Sequence, residues 1–203
     1  MASSVDGKIG PAGVDRFVSI TSQRDLLHLQ EIRDQADGIL FGAETFRTWP
    51  KVHAARNKHQ HAQHFILSRS LRLDLSAPLF QEKSVLVTLF SPNSLPEGLV
   101  LPGNTSLIQV NESPGMILTI VNHIKQVGMK NLLVEGGGRV LNQFLSAGVL
   151  DELYLTLSPQ IIADANAPGL TGNTPLDHLP TLQMLSKEQH KDEVFLHVAL
   201  KHK

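Results

Sequence analysis

The sequence predicts an α/β fold built on a mostly parallel sheet. Short runs rich in valine, isoleucine and leucine alternate with segments whose apolar residues recur at the helical period, which is typical of this class. In most of the short runs the apolar residues are consecutive, as in strands buried on both faces. Two later runs alternate between apolar and polar residues, which indicates an antiparallel edge near the C-terminus.

Four runs are predicted to be buried parallel strands whose carboxyl ends line one edge of the sheet. They cover residues 38–42, 64–68, 84–88 and 131–134. The two alternating runs cover residues 152–157 and 193–200. The second is expected to pair antiparallel with residues 182–185 across a polar turn at residues 187–192.

Three helices are predicted at residues 22–35, 116–127 and 139–147. At the start of the first, Ser22 is suited to capping and Asp25 places a negative charge near the positive helix end. Gly148 follows the third helix and suits the left-handed turn that ends a helix. Residues 91–103 and 163–180 are rich in turn formers and are predicted to be loops.

Length and composition favour one cytoplasmic domain over residues 1–203. With 41% hydrophobic residues, the chain can bury one sizeable core. Its 18 basic and 19 acidic residues leave a net charge of -1, so no overall field attracts nucleic acid or an anionic membrane surface. The sequence has no cysteine, which excludes disulfides and thiolate metal sites, and no segment predicts a membrane span or a signal peptide.

Three consecutive glycines, Gly136, Gly137 and Gly138, separate the strand predicted at residues 131–134 from the helix predicted at residues 139–147. Exposed N–H groups and the positive helix end would face an anion there, and a pyrophosphate is the natural ligand. Tight turns between a strand and a helix also use glycine for close packing. Both interpretations stay open on the glycines alone.

Two other strand ends carry groups suited to phosphate. Gly42 and Thr45 follow the strand at residues 38–42, where they could bind a phosphate or form an ordinary capped turn. Ser68 and Arg69 end the strand at residues 64–68. A hydroxyl and a planar guanidinium could bind a ribose 2′-phosphate, which would select NADPH over NADH; a solvated surface arginine is the alternative.

Together, four stretches resemble the dihydrofolate reductase-like superfamily, and specifically its riboflavin-biosynthesis branch, the 5-amino-6-(5-phosphoribosylamino)uracil reductases. They are Ser-Val-Asp-Gly-Lys-Ile at residues 4–9, Gly-Ala-Glu-Thr-Phe at 42–46, Ile-Leu-Ser-Arg-Ser at 66–70, and Leu-Val-Glu-Gly-Gly-Gly at 133–138 continuing to Gly-Val-Leu-Asp-Glu-Leu at 148–153. The first and last are specific to the riboflavin branch. The resemblance implies a three-layer dihydrofolate reductase-like fold with a central, mostly parallel mixed sheet and an antiparallel C-terminal edge.

The resemblance also implies NADPH as cofactor and a phosphorylated pyrimidine as substrate. The implied cofactor-binding residues are Ser4, Gly42, Thr45, Ser68, Arg69, Gly136, Gly137, Gly138, Arg139 and Val140. The implied substrate-binding residues are Lys8, Arg33, Arg56 and Glu135. Arg33 would bind the phosphate, unless it is a solvent-facing charge late in its helix. Glu135 would accept hydrogen bonds from ring amino or ribose hydroxyl groups.

The implied reaction passes hydride from the nicotinamide C4 to C1′ of an opened ribosyl group, which converts ribosylamino to ribitylamino. Lys8, or a water held by Glu135, would deliver the proton, so these two residues are the candidate catalytic residues. Asp6 is expected to order its loop by accepting hydrogen bonds from nearby N–H groups.

The chain departs from the branch at three places. Phe-Arg-Thr-Trp-Pro at residues 46–50 replaces an Ala-Asp-Asp-Pro segment of many members. Ser19 stands in place of a tryptophan-like residue, with Phe17 nearby to pack on a ring. Three residues precede the first motif, so the first strand is expected to be short or truncated.

Two other functions stay open. A pterin reductase on the same fold could use Asp25 to pair with a pterin ring, although capping also explains this residue. A non-catalytic NADPH-binding module would fit the replaced acidic segment.

Two further features of the sequence are a histidine-rich segment, which could be a metal site, and two alternating segments, which could be a dimer interface. His53, His59, His61 and His64 lie in a polar segment without an acidic residue. A solvated connector is favoured there, and no metal site is predicted. The alternating segments at residues 152–157 and 193–200 suggest pairing of sheet edges in a homodimer, although an ordinary sheet edge has the same pattern.

Overall fold

The computed structural model describes residues 1–13, 18–58 and 60–201, so Phe17 and His59 lie outside the described residues. The elements in chain order are β1 (Ala2–Ser4), α1 (Gln23–Arg33), β2 (Gly38–Gly42), α2 (Ala43–Thr48), β3 (Gln63–Leu67), α3 (Pro78–Gln81), β4 (Val87–Ser91), β5 (Thr105–Gln109), α4 (Met116–Gln126), β6 (Leu132–Gly136), α5 (Gly138–Ser146), β7 (Glu152–Ser158), β8 (Thr181–His190) and β9 (Glu193–Lys201). Within the described residues, no helix is long and apolar enough to cross a membrane.

The chain forms two compact units. The first unit contains Met1–His28 and Gly136–Lys203, and the second contains Leu29–Glu135. That residues 1–203 make a single domain stays a prediction.

A parallel sheet forms the second unit. Its strand order is β5-β4-β3-β2-β6, and β2, β3, β4 and β5 pair in parallel. Every residue of β2 is buried, which explains its consecutive apolar residues. β4 is also buried throughout, but it covers residues 87–91 and includes Thr88 and Ser91, so the strand predicted at residues 84–88 was placed three residues too early. The α/β prediction is confirmed.

The core of the second unit consists of apolar side chains from this sheet and its short helices. Ile39, Phe41, Ile66 and Leu79 are each at most 1% exposed. At the end of α2, the N–H of Trp49 donates to the Thr45 carbonyl, which closes the last turn. The Lys51 ammonium lies 5.4 Å from the centre of the Trp49 ring.

The first unit contains a mixed sheet with the strand order β1-β7-β9-β8. The three-residue strand β1 is parallel to β7, and the other pairs are antiparallel. The predicted pairing of β8 with β9 is confirmed, but β8 extends to His190 and the turn shortens to two residues. All ten residues of β8 are exposed. Because no face of this strand is buried, its second half can be polar, and it therefore resembles a loop in sequence.

The strands expected at the sheet edge lie inside it. β7 pairs with β1 and β9, and β9 pairs with β7 and β8. The prediction that residues 152–157 and 193–200 are edge segments is therefore wrong. Alternating apolar residues arise on any strand with one covered face, inside a sheet as well as at its edge.

Hydrogen bonds within the first unit anchor the start of α1. Ser22 donates from its backbone N and from Oγ to the Glu193 carboxylate, over 2.6 and 2.5 Å. Ser22 Oγ also accepts from the N–H of Arg24 at 3.2 Å, and Asp25 accepts from Thr21 Oγ1 at 2.8 Å. The predicted helix start with Ser22 as its cap is confirmed, whereas Asp25 binds the Thr21 side chain and its capping role stays a prediction.

Asp6 orders the loop that follows β1. Its carboxylate accepts from the N–H groups of Ile162 and Ala163, at 3.1 and 2.9 Å. The Ser4 hydroxyl and these two N–H groups lower the pKa of Asp6 to about 2. The predicted role of Asp6 in its loop is confirmed.

Candidate functional site

Glu135, near the end of β6, belongs to a buried charged cluster in the second unit. Arg33, the last residue of α1, donates from Nε to Oε1 at 2.6 Å and from Nη2 to Oε2 at 2.7 Å. His53 Nδ1 lies 2.5 Å from Oε2. The three side chains are 3–7% exposed. A helix end and a loop therefore hold this carboxylate from two directions.

The cluster keeps Glu135 ionised. Burial raises the pKa of Glu135, but hydrogen bonds from Arg33 and His53, together with their charges, outweigh burial and lower this pKa to about 2. An ionised carboxylate only accepts hydrogen bonds, so His53 must donate from Nδ1. Arg33 also donates from Nη1 to the Ala54 carbonyl at 3.2 Å, which ties the loop carrying His53 to the helix end.

Packing and a backbone hydrogen bond fix the ring of His53. It stacks on Phe41 with ring centres 4.3 Å apart and planes 2° apart. Its backbone N–H donates to Nε2 of His64 at 3.0 Å, and Nδ1 of His64 lies 2.8 Å from the Ala62 carbonyl. Burial, with the charge of His53, lowers the pKa of His64 to about 4, so His64 is neutral near pH 7.

His53 and His64 correct the interpretation of the histidine segment as a solvated connector. They are 3% and 0% exposed, so this interpretation is wrong for both residues. Nε2 of His53 is buried and has no hydrogen-bond partner among the described residues. The missed signal was position, because His64 lies within a predicted buried strand. In the part of the chain that the structure describes, no group of three or more His, Asp or Glu residues is arranged to hold a metal ion.

The structure pairs two of the implied substrate residues with each other. Arg33 is 6% exposed, so the alternative of a solvent-facing charge is wrong. Contact of Arg33 and Glu135 with the substrate stays a prediction. Arg56 is exposed and forms an ion pair with Glu31.

The residues at the ends of β2 and β3 differ in accessibility. Gly42 is buried and precedes the first turn of α2, whose Thr45 carbonyl accepts from Thr48 Oγ1 at 3.0 Å. Ser68 is 3% exposed, and its Oγ accepts from the Leu71 N–H at 3.1 Å. Arg69 is the accessible cation here, with a side chain 74% exposed.

Arg69 pairs with an acidic residue on the same edge of the sheet. Its Nη2 donates to Glu112, which follows β5 and has a side chain 53% exposed. Asn93, after β4, donates to the Arg69 carbonyl at 2.7 Å. The segments after three parallel strands therefore meet around Arg69, as their parallel direction requires.

Packing accounts for one of the three consecutive glycines. Gly137 precedes α5 with φ 64°, a left-handed conformation that favours glycine. A Cβ on Gly138 would lie 2.2 Å from the Gly172 nitrogen and 2.6 Å from the Gly169 oxygen. The loop at residues 169–172 therefore requires glycine at position 138. Anion binding by these glycines, by the exposed Arg139 and by the buried Val140 stays a prediction.

The implied residues near β1 also have structural contacts in the first unit. Ser4 donates from Oγ to Asp6 at 2.6 Å and accepts from the N–H of Lys8 at 3.0 Å. Lys8 Nζ donates to the Ala167 carbonyl at 3.0 Å. The roles of Ser4 in cofactor binding and of Lys8 in catalysis stay predictions.

Solved structures of pyrimidine reductases share this α/β fold. A pyrimidine reductase-like protein from Corynebacterium diphtheriae matches with a TM-score of 0.81 and 22% identity, over 100% of this chain and 90% of that chain. The riboflavin biosynthesis reductase Rib7 of Saccharomyces cerevisiae matches with a TM-score of 0.75 and 15% identity, over 98% and 87% of the two chains. The fold is therefore that of the pyrimidine reductases.

The model of the RibD C-terminal domain matches residues 1–196, and the chain belongs to this family. A relative from Aquifex aeolicus, strain VF5, is named 2,5-diamino-6-ribosylamino-4(3H)-pyrimidinone 5′-phosphate reductase; it is 27% identical over 195 residues, which are 92% of this chain and 87% of the relative. The riboflavin biosynthesis protein RibD of the same organism is 27% identical over 178 residues, which are 84% of this chain and 48% of RibD. These findings confirm the resemblance to the riboflavin branch and the prediction of a reductase.

Proposed function

We propose that this chain uses NADPH to reduce the ribosylamino group of a phosphorylated pyrimidine to a ribitylamino group. The observation that carries the proposal is the family match over residues 1–196. The name of the Aquifex aeolicus relative supports this substrate class.

Two pyrimidines are candidates for the substrate. The sequence motifs resemble reductases of 5-amino-6-(5-phosphoribosylamino)uracil, whereas relatives from Aquifex aeolicus, Archaeoglobus fulgidus and Methanothermobacter thermautotrophicus are named for 2,5-diamino-6-ribosylamino-4(3H)-pyrimidinone 5′-phosphate. The two compounds carry the same phosphorylated ribosylamino group and differ at ring C2, which bears oxygen in the first and an amino group in the second. We propose the diaminopyrimidinone as the substrate.

A phosphorylated nicotinamide cofactor would supply the hydride. The exposed guanidinium of Arg69 would bind the 2′-phosphate in place of Glu112. N–H groups at the start of α5 would bind the pyrophosphate. The protein would contribute alignment of the reactants and exclusion of water.

Glu135 would orient the pyrimidine and would not protonate it. With a pKa of about 2, its carboxylate carries no proton near pH 7. It can accept from an amino or hydroxyl group of the substrate. The proton would come from Lys8 or from a water that Glu135 holds, which are the two sources that the sequence predicts.

We also propose that two copies of the chain form a homodimer through β8. This strand is an edge of its sheet, and all ten of its residues are exposed. Leu182, Met184 and Leu185 on it are 49%, 53% and 46% exposed. A long edge strand with exposed apolar side chains is a ready surface for strand pairing, and a second copy would cover it.

The test is NADPH oxidation measured in parallel with the diaminopyrimidinone phosphate, the aminouracil phosphate and dihydrofolate. We expect turnover of the diaminopyrimidinone and none of dihydrofolate. Turnover of dihydrofolate alone would make the protein a pterin reductase. The contact of Asp25 with Thr21 argues against that outcome, because this carboxylate is engaged at the helix start. NADPH binding without any turnover would indicate a non-catalytic binding module.

A further inference from the structure

We propose that His53 is a positioning residue of the reductase, which acts by holding the Glu135 carboxylate in the orientation that receives the pyrimidine. This inference rests on the proposed function. It assigns to His53 a role that its position in the sequence does not indicate. His53 is not itself proposed to touch the substrate.

The arrangement of donors around Glu135 leaves one acceptor position. Among the residues that the structure describes, Oε2 receives both Arg33 Nη2 and His53 Nδ1, whereas Oε1 receives Arg33 Nε alone. A carboxylate offers about four acceptor positions, two on each oxygen. The position left for a substrate amino or hydroxyl group is therefore on Oε1. His53 fixes this choice because it fills the second position on Oε2.

Packing and a backbone hydrogen bond fix the plane of the His53 ring and the position of its backbone. Phe41 stacks on one face at 4.3 Å, and the backbone N–H is bound to His64. His64 is anchored in turn by the Ala62 carbonyl. A donor fixed in this way can orient a carboxylate more sharply than a flexible side chain can.

The second ring nitrogen of His53 is evidence that this residue does more than fill space. Nε2 of His53 is buried without a partner among the described residues, and an unsatisfied buried polar atom costs free energy. An apolar side chain would pack on Phe41 without that cost. The contact that compensates for it is the one from Nδ1 to Glu135.

Two substitutions distinguish the contribution of Nδ1 from that of Nε2. His53→Asn removes Nε2, but its side-chain amide can still donate from near the position of Nδ1. In His53→Leu the side chain keeps apolar contact with Phe41 and removes both nitrogens. The measurements are kcat and KM for the diaminopyrimidinone phosphate, the Kd for NADPH and the thermal unfolding of each variant.

We expect His53→Asn to keep kcat/KM within about threefold of the unsubstituted protein. We expect His53→Leu to lower it by about ten- to a hundredfold, mostly through kcat, with an unchanged Kd for NADPH. Full activity of His53→Leu would overturn the proposal. An equal loss in both variants would also overturn it, because donation to Glu135 would then not be the property that matters.

A measurement that does not depend on turnover can test the role of His53 even if the proposed function is wrong. The side-chain carboxyl of Glu135 can be followed by carbon NMR as the pH is lowered. In the unsubstituted protein it should stay ionised down to about pH 2, and in His53→Leu it should protonate at a higher pH. Equal titration in the two proteins would refute the contact itself. If no pyrimidine is reduced, the proposed function fails while this titration still decides the role of His53. Should His53→Leu fail to fold, His53→Gln takes its place, because its amide nitrogen lies nearer to the position of Nε2.

Discussion

At the scale of single residues, the charge on Glu135 depends on partners far away in the sequence. Arg33 and His53 lie 102 and 82 positions from it. The motif around Glu135 predicted a functional carboxylate, but motifs contain no information on which distant side chains meet it. His53 was missed for the same reason, since a histidine in a polar segment resembles a solvated one until its neighbours are known.

The lowered pKa of Glu135 predicts acid sensitivity. The ordinary pKa of 4.5 falls to about 2 in the folded protein, so this group stabilises the fold fully above about pH 4.5 and progressively less as the pH falls towards 2. The difference corresponds to roughly 3 kcal/mol. Denaturant unfolding at several pH values should show a steep loss across this window.

Glu135→Gln should flatten that part of the curve and destabilise the protein near pH 7. The amide leaves the Arg33 cation buried without a counter-charge, which costs about 3–5 kcal/mol. Turnover of the pyrimidine should fall while the Kd for NADPH stays unchanged. The exposed Glu97, changed to Gln, is the control and should alter stability by less than about 0.5 kcal/mol. An unaltered acid limb in Glu135→Gln would show that other carboxylates control acid unfolding.

Arg69 is the residue on which cofactor choice should depend. Arg69→Ala removes the proposed partner of the 2′-phosphate, so the Kd for NADPH should rise by about ten- to a hundredfold while that for NADH changes little. Titration of both cofactors decides between the two interpretations of this arginine. Arg72→Ala, at another exposed arginine on the same loop, should leave both affinities unchanged. Equal losses for NADPH and NADH in Arg69→Ala would mean that the residue shapes the site without binding the phosphate.

At the scale of elements, the segments predicted best are those whose pattern of apolar residues matches the faces that the fold buries. β2 matches residues 38–42, because an entirely buried strand consists of consecutive apolar residues. α4 lies within one residue of its predicted end. Three elements were not predicted, or only in part. β5 is edge-exposed and carries Thr, Ser and Gln, α3 is a single turn, and the polar half of β8 has no buried face to impose a pattern.

For the candidate functional motifs, position along the strands was predictable, whereas contacts with distant loops were not. The glycines and Ser68-Arg69 lie next to strand ends, as the parallel strand pattern predicted. Their partners in the fold were not predictable, because Gly169 and Gly172 lie in a loop without periodicity. Sequence alone left packing and anion binding open for the glycines, and the structure supplies a packing reason for Gly138.

Gly138→Ala should weaken the contact between α5 and the loop at residues 169–172. The added methyl group would meet backbone atoms at 2.2 and 2.6 Å, and a backbone cannot move aside as a flexible side chain can. Overpacking of this kind costs about 1–3 kcal/mol, and the free energy of unfolding in denaturant measures it. Gly103→Ala is the control, because a methyl group added there would meet no atom of the described residues within 4 Å. Equal stability of the two variants would contradict the packing explanation.

At the scale of the whole molecule, the proposed homodimer would depend on β8. Met184→Lys places a charge on the exposed strand edge, and it should convert a dimer to a monomer in light scattering. Gln183→Lys adds the same charge one position earlier, on the opposite face of the strand, and should leave the dimer intact. A protein that is monomeric without any substitution would refute the dimer directly.

Trp49 and Tyr154 give the two compact units separate spectroscopic labels. The sequence has one tryptophan and one tyrosine. Trp49 belongs to the second unit, with its parallel sheet, and Tyr154 to the first, where its ring stacks on His197 with centres 4.0 Å apart. Tryptophan fluorescence and tyrosine ring signals in NMR therefore each monitor one unit without any introduced dye. Coincident melting curves from the two chromophores would show cooperative, two-state unfolding of the chain, and separated curves would show that one unit melts while the other remains folded.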